Sequence, residues 1–180
     1  MQVIRNFFSE LRLYICNHVV SRIPSHHIRL AFYRHAMGYK LADGVAIHLG
    51  ARFDCSERLT MGLNSVLNEN CRVDTRGSVT IGDHVSISAE TIILTAEHDF
   101  SSPDFIGKTR PVVIEDYVFI GTRVIVLPGT TLHRGSIVAA GATVSRDIPP
   151  LEIVGGVPAK SIGSRNPDFS YTVKYRRLLH

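Results

Sequence analysis

The sequence lacks most of the features that would place it outside the ordinary globular proteins. Its 180 residues include no tryptophan and only three cysteines, Cys16, Cys55 and Cys71, none in a C-x-x-C spacing. An odd, unpaired set of cysteines predicts neither a disulfide framework nor a cysteine zinc site. No apolar run approaches the roughly 20 residues that span a bilayer, and there is no signal-peptide pattern. We therefore expect a cytoplasmic protein with one domain and at most an appendage.

Positive charge is concentrated at one end of the chain. Residues 1–40 contain six arginines or lysines and one acidic residue, Glu10, which gives this segment a charge of +5 against +4 for the whole chain. Such a basic arm can face an anionic membrane surface, or it can be the solvated face of a helix. The first alternative predicts peripheral membrane proximity of the arm. No nucleic-acid partner is expected.

A repeat of six residues dominates the middle of the chain. From Ile114 to Val144 an aliphatic residue recurs at every sixth position, and the residue four places later is small or β-branched. The same period runs from Ile81 to Ile93. It is looser before that, through Leu49, Cys55, Met61, Leu67 and Val73, and an eight-residue step to Ile81 predicts a corner loop at Thr75–Ser78.

A period of six fits neither a helix nor a simple alternating strand. It fits a short strand followed by a turn, so that three units form one coil of a triangular prism, about 18 residues long, with strands stacked roughly 4.8 Å apart. The aliphatic residues then point inward as ladders, and the coils bury one another. Residues 45–150 are predicted to form this all-β solenoid.

The flanking segments have different patterns. Apolar residues at helical spacing from Ile4 to Val19 predict a first helix, which Pro24 ends, and a second helix is predicted from Ser25 to about Gly38. Residues 1–44 are therefore assigned to a helical arm. Residues 151–180, which begin with a Gly-rich and Pro-containing loop, are assigned to a C-terminal loop and tail.

The hexads IGDHV at residues 81–85 and IGTRV at 120–124, with the run from Gly129 to Ala142, resemble the hexapeptide-repeat transferases. The resemblance covers residues 45–162. It implies a left-handed parallel β-helix with a short N-terminal helical appendage, assembled as a homotrimer. It also implies acetyl-coenzyme A as co-substrate and no metal.

A long excursion, residues 98–111, interrupts the repeat between Ile93 and Ile114 and begins at a histidine, His98. Histidine is suited to remove a proton from an alcohol near neutral pH. The excursion resembles that of the maltose, galactoside and nodulation-factor acetyltransferases, whose catalytic histidine stands 16 residues after the glycine of an Ile-Gly-Asp-x-Val hexad. His98 stands 16 residues after Gly82. The resemblance implies that His98 is the general base and that Asn68 helps to hold the acceptor sugar.

The same resemblance implies a groove for the donor along the later coils. Phe119 stands where tryptophan is common in the family. The backbone N–H of Gly121 or Thr122 is the expected oxyanion donor. Two cations in the groove would meet the phosphates of coenzyme A. The implied donor-binding residues are Phe119, Gly121, Thr122, Ala140, Ser145, Arg146 and Lys160.

We therefore expect an acetyl-coenzyme A-dependent O-acetyltransferase that acts on a sugar hydroxyl in the biosynthesis of cell-surface polysaccharide or lipopolysaccharide. The alternatives are N-acetyl transfer to an amino sugar and acetyl transfer to another small molecule. A metal-dependent hydratase of the γ-carbonic anhydrase kind would need three histidines, two of them close in sequence around the excursion, and the fifth residue after His98 is Pro103. A non-enzymatic scaffold is the remaining alternative.

Overall fold

The computed structural model describes the backbone of residues 2–173 and the side chains of residues 6–173. The predicted C-terminal tail is therefore seen as far as residue 173, and residues 174–180 lie outside the description. Two helices, α1 (Gln2–His18) and α2 (His26–His35), are separated by a 3-10 turn at Val20–Arg22. They form the short helical appendage that the apolar spacing predicted.

Short strands make up most of the remaining chain. In chain order they are β1 (Lys40–Leu41), β2 (Ala46–Ile47), β3 (Arg52–Phe53), β4 (Leu59–Met61), β5 (Val66–Leu67), β6 (Arg72–Val73), β7 (Val79–Ile81), β8 (Ser86–Ile87), β9 (Ile92–Ile93), β10 (Ala96–His98), β11 (Gly107–Thr109), β12 (Val112–Ile114), β13 (Phe119–Ile120), β14 (Ile125–Val126), β15 (Thr131–Leu132), β16 (Ile137–Val138), β17 (Thr143–Val144), β18 (Glu152–Gly155) and β19 (Lys160–Ser164).

These strands form the three walls of a prism. Sheet A has the order β1-β4-β7-β12-β15, sheet B the order β19-β18-β16-β13-β8-β5-β2, and sheet C the order β17-β14-β9-β6-β3. All pairings within the walls are parallel except that of β18 with β19. The chain passes through A, B and C in turn, so each coil adds one strand to each wall. The predicted solenoid is confirmed as a parallel β-solenoid.

The coils differ in length. In sheet B, Ala46 pairs with Val66, and Val66 pairs with Ser86. Each of these two coils is therefore 20 residues long. The next partner of Ser86 is Phe119, because a hairpin is inserted between these coils, and the step from Phe119 to Ile137 is 18 residues. The predicted coil length is therefore right after the hairpin and two residues too short before it.

This difference makes the predicted phase of the earliest repeat wrong by two residues. Ile47 and Phe53 point inward and are fully buried, whereas Leu49 and Cys55, which the six-residue period selects, are only partly buried. The physical reason is a longer corner after Phe53. This corner spans an eight-residue step, as does the corner loop predicted at Thr75–Ser78. The predicted corner loop contains a turn in the structure.

The core consists of three ladders of inward side chains. Each ladder stacks one residue per coil on the next, and all of the following are buried: Met61, Ile81, Ile114 and Leu132 in sheet A, with Ile148 in a single bridge to Leu132; Ile47, Leu67, Ile87, Ile120, Val138 and Val154 in sheet B; Phe53, Val73, Ile93, Val126 and Val144 in sheet C. The small or β-branched residues of the later hexads, from Val118 to Ala142, are buried too. Since apolar burial is the main favourable term in folding, these ladders stabilise the stack.

The helical arm closes the open end of the first coil. Backbone groups there have no preceding strand to bond, and an unpaired edge is costly when buried. The side-chain amide of Asn17 accepts from the N–H of Phe53 at 3.0 Å and donates to its carbonyl at 2.8 Å, as a neighbouring strand would. Buried Arg29 donates to the carbonyl of Ile47 at 3.1 Å. The arm thus acts as the capping unit that a solenoid needs.

Part of the positive charge of the arm is directed into the molecule. Arg12, Arg29 and Arg34 each donate to backbone carbonyls, and Arg29 is fully buried. The side chain of Arg5 lies outside the described residues. Within residues 2–173, no helix has the length and apolar character to cross a bilayer. The membrane proximity of the arm stays a prediction.

Two neighbouring residues of β9 test the inward ladder. Ile93 is fully buried within the ladder of sheet C, whereas Ile92 faces outward and is only partly buried. Because truncation of a buried isoleucine leaves a cavity, Ile93→Ala should lower the free energy of unfolding by about 2–5 kcal/mol. Chemical denaturation of both variants measures this, and Ile92→Ala should cost less than half as much. Equal losses would contradict the inward assignment.

Candidate active site

The predicted excursion is an antiparallel hairpin. Strand β10 leaves the solenoid after sheet C, and β11 returns toward sheet A, with His98 opposite Gly107 in the register. Two ion pairs, Glu97 with Arg110 at 2.6 Å and Asp99 with Lys108 at 2.5 Å, join its two sides. Glu97 is therefore engaged across the hairpin.

His98 lies at the end of β10, exposed to solvent and fixed on one side. Its Nδ1 lies 2.8 Å from the carbonyl oxygen of Phe105, and its ring stacks on that of Phe105 with centroids 4.4 Å apart and planes 6° apart. A carbonyl only accepts hydrogen bonds, so Nδ1 carries the proton. In the neutral ring Nε2 is then the unprotonated nitrogen, which is the form that a general base requires.

The root of the hairpin rests on a buried carboxylate, that of Asp74, in the corner loop of the preceding coil. Its side chain is fully buried, and Oδ2 accepts from the N–H groups of Thr95 and Ala96 at 3.1 and 3.0 Å. Burial alone would raise the pKa of this carboxyl, but the hydrogen bonds from Arg76 and the backbone outweigh it and lower the pKa to about 2. Asp74 is therefore ionised in the folded protein at neutral pH.

A depression of about 330 Å³ lies beside His98. Its lining includes Arg76 and Lys108 together with residues from both strands of the hairpin. Arg76 is half-exposed and makes a two-pronged contact with Asp74 through Nε at 2.9 Å and Nη2 at 3.0 Å. Neither Asp74 nor Arg76 belongs to a motif that predicts a role in the site. The only available signal was their position in the eight-residue step, directly after the inward residue Val73.

Most of the implied donor residues lie along a different edge of the prism. Phe119 projects outward from sheet B with 41% of its surface exposed, between Ser86 and Ile137 of the neighbouring coils. Thr122 and Ala140 are exposed on the turns that lead from sheet B to sheet C. We call this line of residues, with Gly121 and Lys160, the B–C edge.

Gly121 is required by the stacking of the coils. A β-carbon at this position would lie 2.6 Å from the amide nitrogen of Ala140 in the next coil, closer than side chains can approach backbone. Its N–H already donates to the carbonyl of Val138 at 2.8 Å. Two backbone N–H groups were expected to bind the oxyanion. That of Gly121 already has an acceptor, so the N–H of Thr122 is the candidate oxyanion donor.

Asn68 belongs to the same B–C edge, two coils before Gly121. Its side-chain amide donates to the carbonyl of Ile87 at 2.8 Å, and it is not among the residues with left-handed backbone. Ser145 and Arg146, in contrast, follow sheet C and are exposed on the edge between C and A, where the hairpin leaves the solenoid. Within one chain, the structure does not bring His98 together with Asn68 or with Phe119.

Lys160 lies at the end of sheet B, in β19, opposite Gly155. Its side chain is exposed. Among residues 2–173, no group of three or more histidines, cysteines, aspartates or glutamates is arranged to hold a metal ion.

This chain is similar to a family of known proteins. The family described as bacterial transferase hexapeptide (six repeats) matches residues 111–146. The putative colanic acid biosynthesis acetyltransferase WcaF of Escherichia coli is 30% identical over 135 residues, 75% of this chain and 74% of WcaF. The chain belongs to the hexapeptide-repeat transferases and is an acyltransferase, as the resemblance of its hexads implied.

Other similarities extend this result. Galactoside O-acetyltransferase of E. coli is 30% identical over 119 residues, 63% of this chain and 58% of that enzyme. A hexapeptide-repeat acetyltransferase of Vibrio cholerae, solved in complex with acetyl-coenzyme A, superposes with a TM-score of 0.78 at 27% identity, covering 88% of this chain and 86% of the other. The chain spans 55% to 74% of the length of several curated relatives.

The depressed pKa of Asp74 predicts a specific acid sensitivity. The folded pKa of about 2 lies below the ordinary value of 3.8, so the ionised form stabilises the fold above about pH 4, and this stabilisation is lost as the pH falls toward 2. Asp74→Asn should flatten the fall in unfolding free energy between pH 4 and pH 2. Denaturation of both proteins across this range measures the difference, and parallel curves would contradict the assignment.

Proposed function

We propose that this protein transfers the acetyl group of acetyl-coenzyme A to a sugar hydroxyl, with His98 as the general base. The observation that carries the proposal is the hydrogen bond from Nδ1 of His98 to the carbonyl of Phe105, which leaves Nε2 as the ring nitrogen that can accept a proton. Stacking on Phe105 holds the ring in this orientation. An exposed and oriented imidazole with a free ring nitrogen is what proton abstraction from an alcohol needs.

The proposed reaction is a direct transfer. Nε2 of His98 takes the proton of the acceptor hydroxyl as its oxygen attacks the thioester carbon. The Thr122 N–H stabilises the negative charge that develops on the carbonyl oxygen. When the carbon–sulfur bond breaks, protonated His98 gives its proton to the thiolate, so the products are the acetyl ester and free coenzyme A. No covalent intermediate on the enzyme is needed.

The B–C edge is the proposed site for the donor. The complex of the V. cholerae relative with acetyl-coenzyme A supports this donor. The exposed Thr122 and Ala140 turns leave room for an extended pantetheine arm against the backbone, beside the ring of Phe119. Lys160 on this edge, and Ser145 and Arg146 on the edge between C and A, are proposed to meet the phosphates.

A sugar acceptor is supported by the similarity to a galactoside O-acetyltransferase. The similarity to a putative acetyltransferase of colanic acid biosynthesis supports a role in the biosynthesis of cell-surface polysaccharide. We propose that Asn68 contributes to holding the acceptor and that the reaction takes place in the cytoplasm.

We further propose that the working form is a homotrimer with sites shared between chains. His98 leaves the prism between sheets C and A, whereas Asn68 and Phe119 belong to sheet B and the B–C edge. One chain therefore separates the base from the residues that would hold its substrates. A rotated neighbour could place its B–C edge against the hairpin, as closed symmetry allows.

Removal of the imidazole should abolish most of the activity. In His98→Ala, thiol release from acetyl-coenzyme A in the presence of a sugar panel should fall by about 10²–10⁴-fold, because the general base is lost. The midpoint of thermal unfolding should change little, because the side chain is exposed. His133→Ala is the matched control, since His133 binds Glu115 on another edge of the prism. Full turnover by His98→Ala would refute the assignment of the base.

Shared sites predict complementation between two inactive variants. His98→Ala lacks the base, and Ala140→Trp fills the B–C edge with a bulky ring. If each site combines His98 of one chain with the B–C edge of the next, every trimer that contains both variants has one complete site out of three and should regain about a third of the wild-type activity. Co-expression with two affinity tags, followed by the thiol-release assay, measures this. Mixed trimers that are as inactive as their parents would show that the site is not shared in this way.

A further inference from the structure

Asp74 connects two parts of the molecule that are far apart in sequence. Its carboxylate accepts five hydrogen bonds and is fully buried. Three come from the backbone N–H, Nε and Nη2 of Arg76 in its own corner loop. The other two come from the N–H groups of Thr95 and Ala96, where the hairpin leaves the solenoid.

Further hydrogen bonds join the same two segments. The hydroxyl of Thr95 donates to the backbone carbonyl of Asp74 at 2.8 Å and accepts from the N–H of Gly77 at 2.8 Å. The carbonyl of Thr95 accepts from the N–H of Arg110, at the return of the hairpin, also at 2.8 Å. Both sides of the hairpin root are therefore fixed to the corner loop of the preceding coil.

The rest of the hairpin has little else to hold it. All three residues of β11 are exposed, and the tip carries Phe100 with 88% of its surface exposed. Ala96 is the first residue of β10 and His98 is the third. A change in the backbone direction at Ala96 therefore moves the imidazole of His98, two residues further along the same strand. Because active-site groups must be held within a fraction of an ångström, the root is where the position of His98 is decided.

We propose that Asp74 is a positioning residue for the reaction, which fixes the hairpin through the amides of Thr95 and Ala96 and so sets the place of His98. This inference rests on the proposed function in so far as His98 is the base. Asp74 itself is buried and does not touch the reacting groups. Its effect reaches the chemistry only through the backbone of β10.

Two variants of Asp74 separate this role from a general contribution to stability. In Asp74→Asn, the remaining oxygen can still accept from both hairpin amides, although bonds to Arg76 are lost. In Asp74→Ala, both amides lose their acceptor. We expect kcat to fall on the order of 10²-fold in Asp74→Ala and by clearly less in Asp74→Asn, while KM for acetyl-coenzyme A stays unchanged in both.

Asp54→Ala is the matched control. Asp54 follows Phe53 as Asp74 follows Val73, one coil earlier in the same register, and it pairs with Arg72 at 3.1 Å without a bond to the hairpin. This variant should keep wild-type kcat. Equal kcat values in Asp74→Ala and Asp54→Ala, or a loss in Asp74→Asn as large as that in Asp74→Ala, would overturn the proposal.

Amide hydrogen exchange tests the anchor independently of activity. In Asp74→Ala, exchange of residues 95–110 should accelerate at least tenfold, while exchange in β5, β8 and β13 stays as in the wild type. Acceleration throughout the coils, or none in the hairpin, would overturn the proposal. If the wild type transfers no acetyl group, the proposed function fails, and the exchange still decides whether Asp74 fixes the hairpin.

Discussion

The stacking of one coil on the next is the constraint on which the rest of this structure depends. Each coil hydrogen-bonds to its neighbours through parallel strands of two to four residues, and its interior holds one apolar side chain per wall. Strands this short have no stability of their own, so the register must be kept from coil to coil. Gly121 shows how close the coils are, since a β-carbon there would collide with the backbone of Ala140.

The sequence predicts this architecture well wherever the stacking is regular. The inward positions from Ile114 to Val144 follow from the six-residue period, because each hexad supplies one strand and one turn. The prediction fails by two residues at Leu49 and Cys55, where a longer corner follows Phe53. The corner after Phe53 contains polar residues such as Ser56 and Glu57, so an inserted pair changes the phase without a clear hydrophobic signal.

The site is less predictable than the fold for a related reason. His98 stands out in the sequence because it opens a break in the repeat, but the pairing of β10 with β11 and the stacking of His98 on Phe105 depend on the path of the hairpin. Asp74 had no recognisable pattern at all. Its partners Thr95 and Ala96 are about twenty residues away and become neighbours only because the coils stack.

A regular solenoid also explains why His98, the proposed base, is carried on an insertion. Side chains on the walls are fixed in register and half-covered by the coils above and below, so none can reach far from the prism. An insertion at an edge escapes this limit, because the register resumes at Val112 with Val79 as its partner. A hairpin outside the walls is not held by their register, so other contacts must fix it if His98 is to be held in place. The buried carboxylate of Asp74, which belongs to the preceding coil, supplies such contacts through the N–H groups of Thr95 and Ala96. The hairpin root is thereby held in a fixed position relative to the stacked coils.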